Sequence, residues 1–142
     1  MGLRLAVGEV TVLLGSSPAR RRVMNRLDDD SGRCAGGHDV LGVLRLTGHP
    51  GDGLLDRRAA VHDAGCGPAS IVLVDRITDG LSAAERRVLL ADVREVAAGG
   101  RAVLVDDDDP VAALAVADGA LRADPTGGLE PVAVRDPDYL AS

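Results

Sequence analysis

Two short apolar runs constrain the fold more than any other feature of this chain. Ile71-Val72-Leu73-Val74 and Ala102-Val103-Leu104-Val105 contain no polar residue, and each is followed by aspartate, Asp75 and Asp106. A sheet with one wet face would show alternation. An unbroken run fits a strand covered on both faces, as central strands of parallel sheets are. Between the runs lies the best-defined helix of the sequence. Ser82 and Glu85 have the spacing of a capping box, Leu89, Val93, Val96 and Ala97 form one apolar stripe, and Gly99-Gly100 stops the helix. Strand, helix and parallel strand in succession call for a right-handed crossover with the helix packed on the sheet.

The flanking segments extend this pattern. Residues 3–7 and 10–14 read as strands broken by Gly8-Glu9, and the second runs into Gly15-Ser16-Ser17-Pro18. Residues 19–27 read as a short helix, 28–39 as an Asp- and Gly-rich loop, 40–46 as a strand and 48–53 as a turn. A further short helix is expected over 54–63, interrupted by Gly65 and Gly67-Pro68. Asp109 is placed to cap a helix that starts at Pro110 and is outlined by Val111, Leu114, Ala115 and Asp118. Residues 119–123 and 131–135 are two more expected strands. The fold class is α/β: one domain over 1–135, a mostly parallel sheet flanked by helices, and a loose tail over 136–142.

Composition removes several chemistries. All 16 basic residues are Arg; Lys, Gln, Phe and Trp are absent, and Tyr139 is the sole aromatic. Without Lys there is no Schiff-base chemistry and no standard phosphate-loop lysine. One aromatic gives no stacking platform for single-stranded nucleic acid. A net charge of -6 argues against a nucleic-acid or anionic-lipid partner. No apolar run reaches the roughly 20 residues that span a bilayer, and two cysteines are too few for a disulfide scaffold. A cytoplasmic setting is expected.

Several segments in chain order resemble the nucleotide-binding subunit of ATP-binding cassette (ABC) transporters, within the P-loop NTPase superfamily. Gly8-Glu-Val-Thr-Val-Leu-Leu-Gly15 resembles the strand entering that family's phosphate loop. Asp30-Ser-Gly-Arg33 and Gly37-His-Asp-Val40 resemble its strand and turn after the first helix. Ile71 to Ser82 resembles its Walker B strand and D-loop, and Val103 to Asp118 its last core strand, switch loop and helix. The resemblance implies a trimmed P-loop NTPase core. It also sets a candidate degenerate nucleotide or anion site at Gly15, Ser16, Ser17, Arg20, Arg21, Arg22 and Asp75.

The departures fall on the chemistry. In the family pattern Gly-x-x-x-x-Gly-Lys-Ser/Thr, backbone amides close on phosphate, Lys reaches the terminal phosphates and the hydroxyl holds Mg²⁺. Here Gly15 keeps the first position, while Arg20, Arg21 and Arg22 take the second Gly, the Lys and the hydroxyl. Asp75 keeps the Walker B acid. Arg76 stands at the catalytic Glu, Asp108 at the switch His and Ser82 at the D-loop Asp. The Gln-loop region, residues 43–49, has no Gln. About twenty residues separate His49 from Ile71, where the family inserts a helical subdomain carrying Leu-Ser-Gly-Gly-Gln, a motif absent here.

Blander readings stand beside these. The three arginines could attract phosphate at a helix start, or be a solvated basic turn. Asp75 could orient a metal, or pair with Arg76 or Arg20. The run Asp106-Asp107-Asp108-Asp109 could bind a hard cation, but reads better as a solvated loop whose last residue caps a helix. Cys34-x3-His38 and His62-x3-Cys66 could converge on a tetrahedral Zn²⁺; the alternative is buried Cys and surface His. The expectation is a non-hydrolysing ABC-like domain, a pseudo-ATPase acting as a binding or regulatory module. Its partner would be another protein or a second copy. It would not insert into a membrane, although it could associate indirectly with a membrane permease. No resident cofactor is expected, with ATP and Mg²⁺ as the candidates if one exists. The alternatives are a residual nucleotide-binding protein with slow hydrolysis and a structural subunit that keeps only the fold.

Overall fold

A computed structural model describes residues 5–27, 42–126 and 128–132. Among these residues the chain runs β1 (Val10–Leu14), α1 (Ser17–Arg26), β2 (Val43–Thr47), α2 (Leu54–Cys66), β3 (Ile71–Asp75), α3 (Ala83–Ala98), β4 (Ala102–Asp106), α4 (Pro110–Leu114), β5 (Gly119–Ala123) and β6 (Leu129–Val132). The strands form one sheet in the order β2-β3-β4-β1-β5-β6. All pairings are parallel except β5 with β6. The two unbroken apolar runs, β3 and β4, are interior strands covered on both faces, as their sequences require.

The two faces of the sheet are covered differently. Val10, Val12, Val72, Val74, Val103 and Val105 of the central strands pack with α2, α3 and α4, where Val61, Leu89, Leu90, Val93 and Val96 supply most of the bulk. Leu13, Leu73 and Leu104 of the same strands point the other way, onto Ala19, Val23 and Met24 of α1. On the α1 face the central strands carry Leu, and on the other face they carry mostly Val, with Leu supplied by α3. That complementarity fills both layers. Each fully buried Leu contributes about 2 kcal/mol through removal from water.

Local chemistry fixes the helix ends. Ser82 accepts from the Glu85 amide at 3.2 Å while Glu85 accepts from the Ser82 amide at 3.1 Å, completing the capping box. Asp109 caps α4 through the Ala112 amide at 3.1 Å, with Pro110 in the first turn. Gly65 lies inside α2, which continues to Cys66; a Cβ there would meet only Val96 Cγ2 of α3, at 3.4 Å, an ordinary contact. The expected break at Gly65 does not occur, and Gly67-Pro68 ends the helix instead.

Other expectations need correction. Residues 5–7 of the expected first strand, 3–7, are not strand: Val7 and Gly8 form a turn closed by the Glu9 amide on the Ala6 carbonyl at 3.2 Å. Helix α1 starts two residues earlier than expected because Ser16 caps it and Pro18 suits its first turn. Asp118 does not belong to α4; its carboxylate accepts the Val10 amide at 2.9 Å at the start of β1. Residues 28–39, the segments 30–33 and 37–40, Cys34, His38, residues 133–135 of the expected last strand and the tail 136–142 lie outside the described residues.

Candidate functional site

Strand register creates the central feature of the site. Asp75 of β3 lies beside Asp106 of β4 at the same end of the sheet. Side chains alternate along a strand, so both carboxylates share the α1 face with Leu73 and Leu104. They are 3% and 1% exposed, so each needs a counter-charge. Helix α1 and strand β2 supply three. Arg20 donates to Asp106 Oδ1 at 2.5 Å, to the Asp107 carbonyl at 2.8 Å and to Asp108 at 3.2 Å. Arg21 donates to Asp75 Oδ1 at 2.5 Å, and Arg45 to Asp75 Oδ2 at 2.8 Å. Three guanidiniums thus face the three carboxylates of Asp75, Asp106 and Asp108.

Arg45 also joins the site to the far end of α1. Its second nitrogen donates to the Met24 and Leu27 carbonyls, each at 2.6 Å, at the C-terminal end of the helix, where the Met24 carbonyl also accepts the Leu27 amide. Arg45 is not among the residues expected at the site. The available signal was a lone charge in the middle of Val-Leu-Arg-Leu-Thr, an otherwise apolar run. The partner of Asp75 is accordingly not Arg20. Arg76, the other expected partner, makes a longer ion pair: its Nε lies 3.9 Å from Asp75 Oδ1 and 4.0 Å from Asp79 Oδ2, on a backbone at φ 53°, an uncommon conformation for a residue with a side chain.

Burial dominates the electrostatics of Asp106. Its carboxyl is pushed above the ordinary range by desolvation; Arg20 opposes the rise, while the neighbouring Asp75 adds to it. The remaining acids of the run are divided by strand alternation. Asp107, 1% exposed, turns to the α3 face, where Thr78 donates to it at 2.6 Å and Arg86 lies 3.6 Å away. Asp108 returns to Arg20, and Asp109 caps α4. The solvated-loop expectation is thus corrected for Asp106 and Asp107, which are buried and partnered, and holds for the capping role of Asp109.

The stretch aligned with the phosphate loop has little loop in it. Only Gly15 and Ser16 separate β1 from α1. The Arg20 amide bonds the Ser16 carbonyl at 2.9 Å, the Ala19 amide meets Ser16 Oγ at 3.3 Å, and Pro18 has no N–H. Ser17 is the first helical residue. Gly15, at φ 118°, is needed because a Cβ there would lie 2.5 Å from the Ala123 carbonyl oxygen of β5. Arg22 leaves the cluster and donates to the Pro125 carbonyl. A cleft of about 400 Å³ remains beside Leu14, Gly15, Arg20, Asp108, Pro110 and Arg122.

Elsewhere, Cys66 is exposed, against the expectation of a buried thiol, and its Sγ lies 3.8 Å from His62 Nε2. Among the described residues, no three metal-ligating side chains converge and no helix is long and apolar enough to cross a membrane.

No protein-family model matches this sequence, and no curated protein matches it. Solved structures do. One is the ATP-binding subunit of an ABC transporter, similar at 11% identity over 92% of this chain and 81% of that one, with a TM-score of 0.59. Another is a nucleotide-free ATP-binding cassette from an ABC transporter, at 9% identity over 96% of this chain and 88% of that one, with a TM-score of 0.61. With a six-stranded, mostly parallel α/β sheet and these neighbours, the chain has the fold of the ATP-binding subunits of ABC transporters.

Proposed function

We propose that this chain is a non-hydrolysing domain on the ABC ATP-binding fold, acting as a binding or regulatory module for a protein partner or a second copy. The observation that carries the reading is the pairing of Arg20 and Arg21 with Asp106 and Asp75. In the resemblance, Asp75 orients Mg²⁺ and residues 15–22 hold phosphate. Here both Asp75 oxygens are engaged by guanidiniums, and the amides of residues 19 and 20 are used within the first turn of α1. A Mg²⁺ ion at Asp75 would have to displace two ion pairs in a buried setting. These residues do not fit Mg–ATP, so no hydrolytic step is assigned to them.

The partner is inferred from the use of this fold. The neighbours are parts of ABC transporters, so we place this chain in the cytoplasm, in an assembly that could include a membrane permease without inserting itself. Steady-state phosphate release tests the reading. Purified protein with ATP and Mg²⁺ should show no turnover above buffer, and Asp75→Ala should leave that baseline unchanged. Turnover that disappears in Asp75→Ala overturns it.

One observation favours residual nucleotide or anion binding with slow hydrolysis as a second reading. Gly15 keeps its place beside the cleft of about 400 Å³, which Arg20 and Arg122 also border. Gly15 and Arg20 would then border the ligand and Arg21 would stand in for the lysine after releasing Asp75; Ser16, Ser17, Arg22 and Asp75 lie outside the lining of the cleft.

A further inference from the structure

We propose that His62 and Cys66 form a two-point chelate for a thiophilic divalent cation of the zinc type, at the C-terminal turn of α2. The two residues are four apart on a helix and so share one face. Zn–S and Zn–N bonds of about 2.3 and 2.05 Å at a tetrahedral angle put sulfur and nitrogen about 3.6 Å apart. Here the separation is 3.8 Å, so an ion fits between them with only a small opening of the angle. Cys66 is a free, exposed thiol, and both residues line a groove of about 650 Å³ between α2 and α3.

The surroundings are compatible with a cation. Arg58 lines the same groove, but its guanidinium is held by both Asp92 oxygens, at 2.7 and 3.3 Å, which neutralises it. Glu95 adds a carboxylate to the groove, and α2 has no basic residue in its last turn. On binding, the Cys66 S–H bond breaks, sulfur bonds the metal and the proton leaves to solvent; neutral His62 gives its Nε2 lone pair. Water or a second chain completes the coordination. The site is independent of the arginine cluster and of the nucleotide question.

Titration of the reduced full-length protein with Co²⁺, followed by absorption, tests the site. A thiolate-to-cobalt charge-transfer band is expected, displaced by Zn²⁺ and accompanied by proton release. It should be lost in Cys66→Ser and in His62→Ala and retained in Cys34→Ser, with circular dichroism confirming that each variant is folded. If either α2 variant fails to fold, His62→Gln or Cys66→Ala replaces it. A stoichiometry of one ion per two chains would still place the ligands on α2, with a second copy supplying the rest. No band in the parent protein, or a band that survives Cys66→Ser or His62→Ala, overturns the proposal.

Discussion

The two faces of the sheet solve the same burial problem by different means. On the α2–α3 face the central strands present Val, and two long helices cover it with Leu and Val. On the α1 face one ten-residue helix covers three Leu residues, and its cover continues into ion pairs to Asp75 and Asp106. Contacts on the apolar face are non-directional, and a truncation there is partly absorbed by relaxation of its neighbours. The ionic face holds carboxylates that are 3% and 1% exposed, and each depends on particular cations. Removing one partner of such a pair is costly, whereas replacing both is not. The α1 face is therefore the more brittle of the two, and it is also the face on which an ATP site would have to be built.

The largest effect should come from Arg20→Ala, which leaves Asp106 without its 2.5 Å partner. We expect a loss of about 4 kcal/mol in urea unfolding. The double replacement Arg20→Met with Asp106→Leu should recover most of it. A double variant as unstable as the single would mean that packing, and not charge, holds α1. On the other face, Leu89→Ala empties a site that is 0% exposed and should cost about 3 kcal/mol by the same measurement. A loss well below 1 kcal/mol would show that this face is loosely packed.

Acidity sharpens the contrast. The folded-state carboxyl of Asp106 is raised, first by burial. Its contribution to stability is therefore fully present below the unfolded value of about 3.9 and is lost as pH rises through the folded value. In Arg20→Ala the rise should be larger, because Arg20 opposes it. The deficit of this variant should then shrink on acidification through that range, since a protonated Asp106 needs no cation. Carboxyl-carbon NMR titration of both proteins reads the two midpoints directly. A deficit that stays constant with pH would break the ionic account. The Leu89→Ala deficit should not follow the Asp106 titration. The smallest effect is expected from Ser82→Ala, which removes one half of the α3 capping box and should cost about 1 kcal/mol.

The same contrast separates what was legible in the sequence from what was not. The apolar face rests on local signals: unbroken runs for β3 and β4, a helical stripe between Leu89 and Ala97, and Ser82 with Glu85 at its start. Each signal lies within one element, and each reads correctly. The ionic face depends on register and distance. Asp75 meets Asp106 only because β3 pairs with β4, and Arg45 reaches Asp75 only because β2 lies beside β3. Nothing within either segment states that adjacency.

The start of α1 carries another lesson. Reading Gly15-Ser16-Ser17-Pro18 as a strand end running into a loop overlooks the cue that Ser16 and Pro18 give for a helix beginning at Ser17. The local rule held, and it shortens the loop that would cradle phosphate. The acidic run after β4 misleads for the same reason as Arg45. Four aspartates in a row look solvated until strand alternation sends Asp106 to Arg20 and Asp107 to Thr78 and Arg86.

The central claim is that guanidiniums hold the position where Mg–ATP would bind. Isothermal titration of Mg–ATP into the full-length protein tests it most directly. The account predicts heats indistinguishable from dilution, unchanged by Arg21→Ala. Micromolar binding that is lost in Arg21→Ala would contradict it and identify Arg21 as a phosphate ligand rather than the partner that closes Asp75.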